Sequence, residues 1–156
     1  MVRGAPGSAV HPSLFHRLLL QIRPDFVILD YGTNDLVSGS SPFQVAAKMV
    51  KIVERLRTQY SVRSVVICSV INRHSHLRSL TTEKFADAAL KLNLLLKDYA
   101  GTHPCTFYQN HKGFWTTPVS SWSRDGVHPN TSLGRKRYIK SIRKASFLAL
   151  QSITQN

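Results

Sequence analysis

The sequence predicts a layered α/β domain built around a parallel sheet. Stretches with helical periodicity alternate with short strand-like runs in the order helix, strand, helix, strand, helix, strand, helix. The first strand-like run, Phe26 to Leu29, is apolar at every position, the pattern of a strand covered on both faces rather than one facing water. The second, Val62 to Val70, reads VRSVVICSV and is rich in β-branched residues, which suit a pleated buried surface.

Taken in order, Leu14, Leu18 and Ile22 recur at helical spacing. That helix stops near Arg23, because Pro24 disfavours helical geometry in the residue before it. After the Phe26–Leu29 strand, Ser41, Pro42 and Gln44 form a helix start: Ser caps, Pro suits the first turn and Gln completes a capping box. The buried stripe of that helix is predicted as Val45/Ala46, Met49, Ile52/Val53 and Leu56. A third helix begins about Thr82, presents Phe85, Ala88/Ala89, Leu92, Leu95/Leu96 and Tyr99 on one face, and ends at Gly101 and Pro104. Cys105 to Tyr108 forms a short third strand. From Ser132 a last helix puts Tyr138, Ile142, Ala145 and Ala149 on one side, with Lys136, Lys140, Arg143 and Lys144 roughly opposite.

A chain of 156 residues suits one domain and can bury a core of its own. With 42% hydrophobic residues it belongs among folded rather than disordered chains. No apolar run is long enough to span a bilayer, and MVRGAPGSAVHPS lacks the apolar middle of a signal peptide, so a cytoplasmic or nuclear location is expected. Cys68 and Cys105 are too few for a disulfide scaffold and are expected as core thiols. Lys and Arg number 21 against 8 Asp and Glu, a net charge of +13 that favours contact with polyanions. The densest cluster is Arg135, Lys136, Arg137, Lys140, Arg143 and Lys144, and it is equally the solvated face of a helix.

Two compact stretches carry chemistry. GTND follows the first strand directly, and ligands of such sheets sit at the carboxyl ends of strands. Gly32 lets the backbone turn sharply, Asn34 can donate its amide to a developing oxyanion, and Asp35 can hold the turn by accepting backbone N–H bonds. In RDGVHPN, Asp125 and His128 lie three residues apart in the loop before the last helix. At that spacing the carboxylate can reach the imidazole, fix its tautomer and stabilise its charged form, as a general base requires. Either stretch alone also reads as turn chemistry or a local structural hydrogen bond. His74 and His76 have two-residue spacing but no neighbouring Cys, Asp or Glu, so no metal site is expected there. Trp115 and Trp122, with Phe114, are expected to pack the loop that leads to Asp125.

In this order and separation the two stretches resemble the SGNH hydrolases, also called GDSL-type esterases. YGTNDL is similar to the family's Gly-x-Asn-Asp block, and DGVHPN to its terminal Asp-x-x-His block. The resemblance implies a three-layer α/β/α, flavodoxin-like domain and hydrolysis of small-molecule esters by Ser, His and Asp without metal or organic cofactor. It assigns His128 as base, Asp125 as its orienting carboxylate, and Asn34 with the Gly7 N–H as oxyanion hole. Gly7 is preferred to Gly4 within RGAPGS, and Gly32 and Asp35 support the turn.

The family's nucleophile lies in a Gly-Asp-Ser block after its first strand, upstream of the Gly block, and no such block occurs here. Ser8 and Ser38 are the nearby hydroxyls, and neither stands at the corresponding place. The expectation is therefore a single domain over residues 1–156, truncated at its amino-terminal end, lacking the first strand and inactive by itself. Its open sheet edge is expected to favour self-association. The alternative is a non-catalytic SGNH-like module that binds nucleic acid or another acidic partner through its basic surface.

Overall fold

A computed structural model describes residues 12–74, 80–115 and 122–154 of the chain. Its elements run α1 (Pro12–Ile22), β1 (Phe26–Leu29), α2 (Thr33–Val37), α3 (Pro42–Tyr60), β2 (Ser64–Cys68), α4 (Thr82–Thr102), β3 (Thr106–Gln109) and α5 (Leu133–Thr154). The strands form one parallel sheet in the order β1-β2-β3. Phe26 pairs with Ser64 and Leu29 with Ile67 on one side of β2, and Val65 pairs with Thr106 and Cys68 with Gln109 on the other.

All five residues of β2 are buried. Because successive side chains of a strand point to opposite faces, an unbroken apolar strand demands cover on both sides. One face is covered by α3 and α4: Val65 and Ile67 share a core with Val45, Met49, Val53 and Leu56, and with Phe85, Ala89, Leu92 and Leu96. The other face is covered by α5, whose Ala145 and Ala149 pack on Val66 and Cys68. Small buried residues at Gly134, Ser141, Ala145 and Ala149 let this helix lie close against the sheet. The result is the expected α/β architecture in three layers.

The helix starts are those the sequence predicts. Ser41 accepts from the Gln44 N–H, Gln44 returns a side-chain acceptor to the Ser41 N–H, and Pro42 opens the helix. Thr81 caps α4 by accepting from the Lys84 N–H. The stripes predicted for α3 and α4 are the ones that pack inward.

Three local expectations need correction. In α1 the inward residue is Leu19, while Ile22 is 62% exposed, because the helix touches the core through this side chain and its last turn projects beyond it. The third strand starts at Thr106 rather than Cys105, which adopts a left-handed φ of 56° and is only partly buried; Cys68 alone is a core thiol. Burial, with the nearby Asp30 charge, pushes the Cys68 thiol far above its ordinary value and leaves it inert as a nucleophile. Finally, β1 is apolar toward both faces but half-buried throughout, since among the described residues it has a strand on one edge only.

A buried amide ties α4 to the end of β2. Asn93 accepts from the Val70 N–H at 2.8 Å and donates to the Val70 carbonyl at 2.9 Å, occupying both backbone groups where the strand pairing has ended. Asn93→Leu, close in size but without hydrogen-bonding groups, strands both of them, and unfolding in urea is expected to show a loss of about 2–5 kcal/mol.

Candidate active site

The carboxyl ends of the three strands open onto one edge of the sheet, and the loops that leave them carry the polar residues. After β1 the chain turns at Gly32, whose φ is 119°. A Cβ here would stand 3.2 Å from side-chain carbons of Leu92 and Val70 and 3.3 Å from Val45, so both backbone conformation and space call for glycine. The GTND segment is more than a turn: from Thr33 it enters the short helix α2. Asn34 occupies its first turn and is exposed.

Asp35 does not hold the turn in the way the sequence suggests. Its carboxylate accepts from Lys48 Nζ at 3.0 Å, and it also bonds the Tyr31 hydroxyl, whose pKa burial and this carboxylate together raise to about 12. Helix α2 is closed instead by Ser38, whose N–H donates to the Asn34 carbonyl and whose hydroxyl donates to the Asp35 carbonyl. Asp35 therefore joins α2 to α3. The side chain leans away from the turn because Lys48 offers it a charge.

The second stretch folds into a tight loop around one carboxylate. Asp125 Oδ1 accepts from the Val127 N–H at 2.8 Å, the His128 N–H at 3.0 Å and Ser123 Oγ at 3.0 Å. Its Oδ2 lies 2.7 Å from His128 Nδ1. An ionised carboxylate only accepts, so Nδ1 carries the proton and Nε2 is left with its lone pair. Ser123 braces the other side: its N–H donates to the His128 carbonyl, and its one hydroxyl proton is shared between that carbonyl at 2.6 Å and Asp125 Oδ1. The side chains of His128 and Asp125 are 62% and 48% exposed, so the base is reachable from solvent.

Neighbouring elements fix this loop from three directions. The His74 N–H, in the segment after β2, donates to the Gly126 carbonyl at 2.8 Å. Buried Trp122 packs edge-on against Phe114 and against the His74 ring, and Trp122 and Pro129 pair as an isolated bridge. The expected packing role of Phe114 and Trp122 thus matches what is seen, and His74 acts as a brace. Downstream, Asn130 Oδ1 accepts from the Gly134 N–H and so secures the start of α5.

A cluster the sequence reading missed lies beneath. His111, fully buried after β3, contacts Ser141 Oγ through Nδ1 at 2.8 Å and faces Asp30 at 3.5 Å through Nε2. Asp30, at the end of β1, also takes the Tyr138 hydroxyl. Ser141 also accepts from Gln109 Nε2 at 3.2 Å. These are the residue types of a hydrolytic triad, but the hydroxyl meets Nδ1, the carboxylate faces Nε2, and the His111 ring has no access to solvent. They fasten α5 to the strand ends. The sequence neighbours Gln109, Asn110 and Lys112 are polar, so nothing local marks His111 as buried.

Gly7, Gly4, Ser8 and His76 lie outside the described residues. Ser38 is spent in closing α2.

The His128 imidazole is the chief cause holding the Asp125 carboxyl well below the ordinary carboxylate range, followed by the His128 and Val127 backbone N–H groups. A pKa lower in the folded than in the unfolded chain stabilises the loop above the unfolded value, and that support is lost only as pH falls through the folded value. The Asp125 side-chain carboxyl carbon resonance is therefore expected to keep the signature of the ionised form as pH is lowered to ~3.9, the ordinary value for Asp, and to show the protonated form only in stronger acid. A titration midpoint near that ordinary value would show that the bonds do not bind the carboxylate as drawn.

A family model described as GDSL-like Lipase/Acylhydrolase family matches residues 1–133. Among solved structures, the chain is similar to the salicylyl-acyltransferase SsfX3 from a tetracycline biosynthetic pathway, with a TM-score of 0.57 and 18% identity. That match covers 86% of this chain and 40% of the acyltransferase, a likeness of fold. No curated protein matches the chain. With the family model spanning GTND and the Asp125–His128 loop alike, the chain belongs to the GDSL-like lipase/acylhydrolase family.

Proposed function

We propose that this edge of the sheet is an ester-hydrolysing site of the SGNH type. The observation that carries the reading is the His128 Nδ1 to Asp125 Oδ2 contact of 2.7 Å, with Asp125 Oδ1 occupied by other donors. A carboxylate so held cannot rotate away, and the imidazole it fixes presents Nε2 as a base. In the reaction, Nε2 takes the proton of a serine hydroxyl as its oxygen attacks the ester carbonyl. The tetrahedral oxyanion is met by the Asn34 amide and the Gly7 N–H, and the imidazolium then gives its proton to the departing alcohol. Water repeats the sequence on the acyl-enzyme, releasing the acid and restoring serine. This scheme calls on no metal or organic cofactor.

None of the 156 residues forms a Gly-Asp-Ser block, so in this reading the nucleophile comes from outside them. The chain alone is expected to hydrolyse aryl acetates no faster than background. Joined to a serine-bearing amino-terminal block, it is expected to gain turnover, with His128→Ala and Asp125→Ala each costing several orders of magnitude and Asn34→Ala about 10²- to 10³-fold in kcat. Unchanged turnover in His128→Ala would remove the assignment.

A second reading is favoured by the α5 surface, where Lys136, Lys140, Arg143 and Lys144 are all exposed on a chain of net charge +13. In it the domain is a non-catalytic module that holds a nucleic acid. Reversing the charge of Lys136, Lys140 and Lys144 together is then expected to weaken binding to single-stranded oligonucleotides and flatten its salt dependence. Binding that is equal in the variant and equal at low and high salt counts against this reading.

A further inference from the structure

Next to the His128 loop lies a pocket of about 280 Å³, lined by Asn72, Arg73, His74, Thr82, Glu83 and Ala86. It is bounded by the segment after β2 on one side and the first turn of α4 on the other. Arg73 is only 7% exposed, with its guanidinium over the Phe85 ring at 5.8 Å. Its Nε has no hydrogen-bond partner among the described residues. A buried guanidinium with an idle donor is costly unless something meets it, because the charged form has lost its water. Burial accordingly pulls its pKa down, opposed by the charge of Asp125. Asp125 helps at a distance, but its oxygens are already engaged by Val127, His128 and Ser123.

The other wall is the amino end of a 21-residue helix. Thr81 caps the Lys84 N–H, whereas the Thr82 N–H at the first helical position has no acceptor among the described residues. Helix amino ends carry partial positive charge and favour anions. Glu83 also lines the pocket, with Oε1 accepting from Thr82 Oγ1 at 3.1 Å. Its negative charge on the same wall disfavours a doubly charged anion more than a singly charged one. The planar fork of a guanidinium matches a carboxylate in shape as well as charge.

We propose that this pocket is a subsite for a carboxylate carried by the ester substrate, with Arg73 as the residue that selects it. The inference rests on the ester-hydrolase reading for the word substrate, and on geometry for the site. The pocket adjoins the base-bearing loop through His74, which lines it and whose N–H is bonded to Gly126. Substrates would then be half-esters of dicarboxylic acids or esters of hydroxy acids, with the free carboxylate on Arg73 and the ester carbonyl toward His128.

The test is binding, which needs no nucleophile and no turnover, so its outcome is independent of whether His128 acts on an ester. The chain is titrated with sodium acetate, and separately with inorganic phosphate, while the Arg73 Nε–H and Thr82 N–H resonances are followed. Acetate is expected to shift both saturably and more tightly than phosphate. Arg73→Gln is expected to weaken it roughly 10-fold or more, the scale of a charged hydrogen bond. Thr82→Pro removes the helix-end N–H together with the hydroxyl bonded to Glu83, at a position where proline is tolerated, and is expected to weaken acetate by a smaller factor than Arg73→Gln with the fold intact. Absence of saturable shifts in the unsubstituted chain, phosphate binding as tight as acetate, or unchanged affinity in Arg73→Gln each overturns the proposal.

Discussion

Everything at the functional edge depends on β2 being buried on both faces. A strand whose five residues are all inside cannot lie on the surface of a two-layer protein; it forces helices onto each side and crossovers between parallel neighbours. Those crossovers bring the carboxyl ends of β1, β2 and β3 to the same edge. Asn34, His74, His111 and the His128 loop are distant in sequence and share that edge only because Val65 to Cys68 need cover in both directions. The layer formed by α3 and α4 supplies most of the apolar core, and α5 supplies the polar fastenings through Ser141 and Tyr138.

Charge is distributed unevenly against this frame. The chain has few carboxylates, and several of them do local structural work: Asp125 closes the loop around His128, Asp35 joins α2 to α3, and Asp30 takes Tyr138 from α5. These three are each spent on a defined set of donors, and across the chain 21 Lys and Arg outnumber 8 Asp and Glu. On α5 the surplus is solvated and costs little. At Arg73 it is buried, and there an unmatched donor has structural meaning.

Much of the layout was legible in the sequence because it rests on periodicity and local caps. The Ser41–Gln44 capping box, the Val45-Met49-Val53-Leu56 stripe and the last helix follow from residues a few positions apart. The pairing of Asp125 with His128 was readable for the same reason, since three residues in a loop bring the two side chains within reach. What was not legible depends on contacts between distant segments. Nothing near Asp35 announces that Lys48 will draw its carboxylate away from the turn. Nothing near Asn93 announces that it will complete the backbone of Val70. Arg73 reads as one more surface cation in a basic chain until the fold sets Phe85 beneath it and buries it.

The two constellations of Asp, His and a hydroxyl make the same point about chemistry. Asp30, His111 and Ser141 have the residue types of a hydrolytic triad, yet the hydroxyl meets Nδ1 and the ring is sealed between α5 and the strand ends. Asp125 and His128 have only two of the three residues, but the carboxylate is saturated, the tautomer is fixed and the ring faces solvent. Catalysis by a base needs a free lone pair and a route for the substrate, and residue identity supplies neither. The fold separates the pair able to accept a proton from the cluster that holds a helix in place. It leaves the first open to solvent and holds the second against α5.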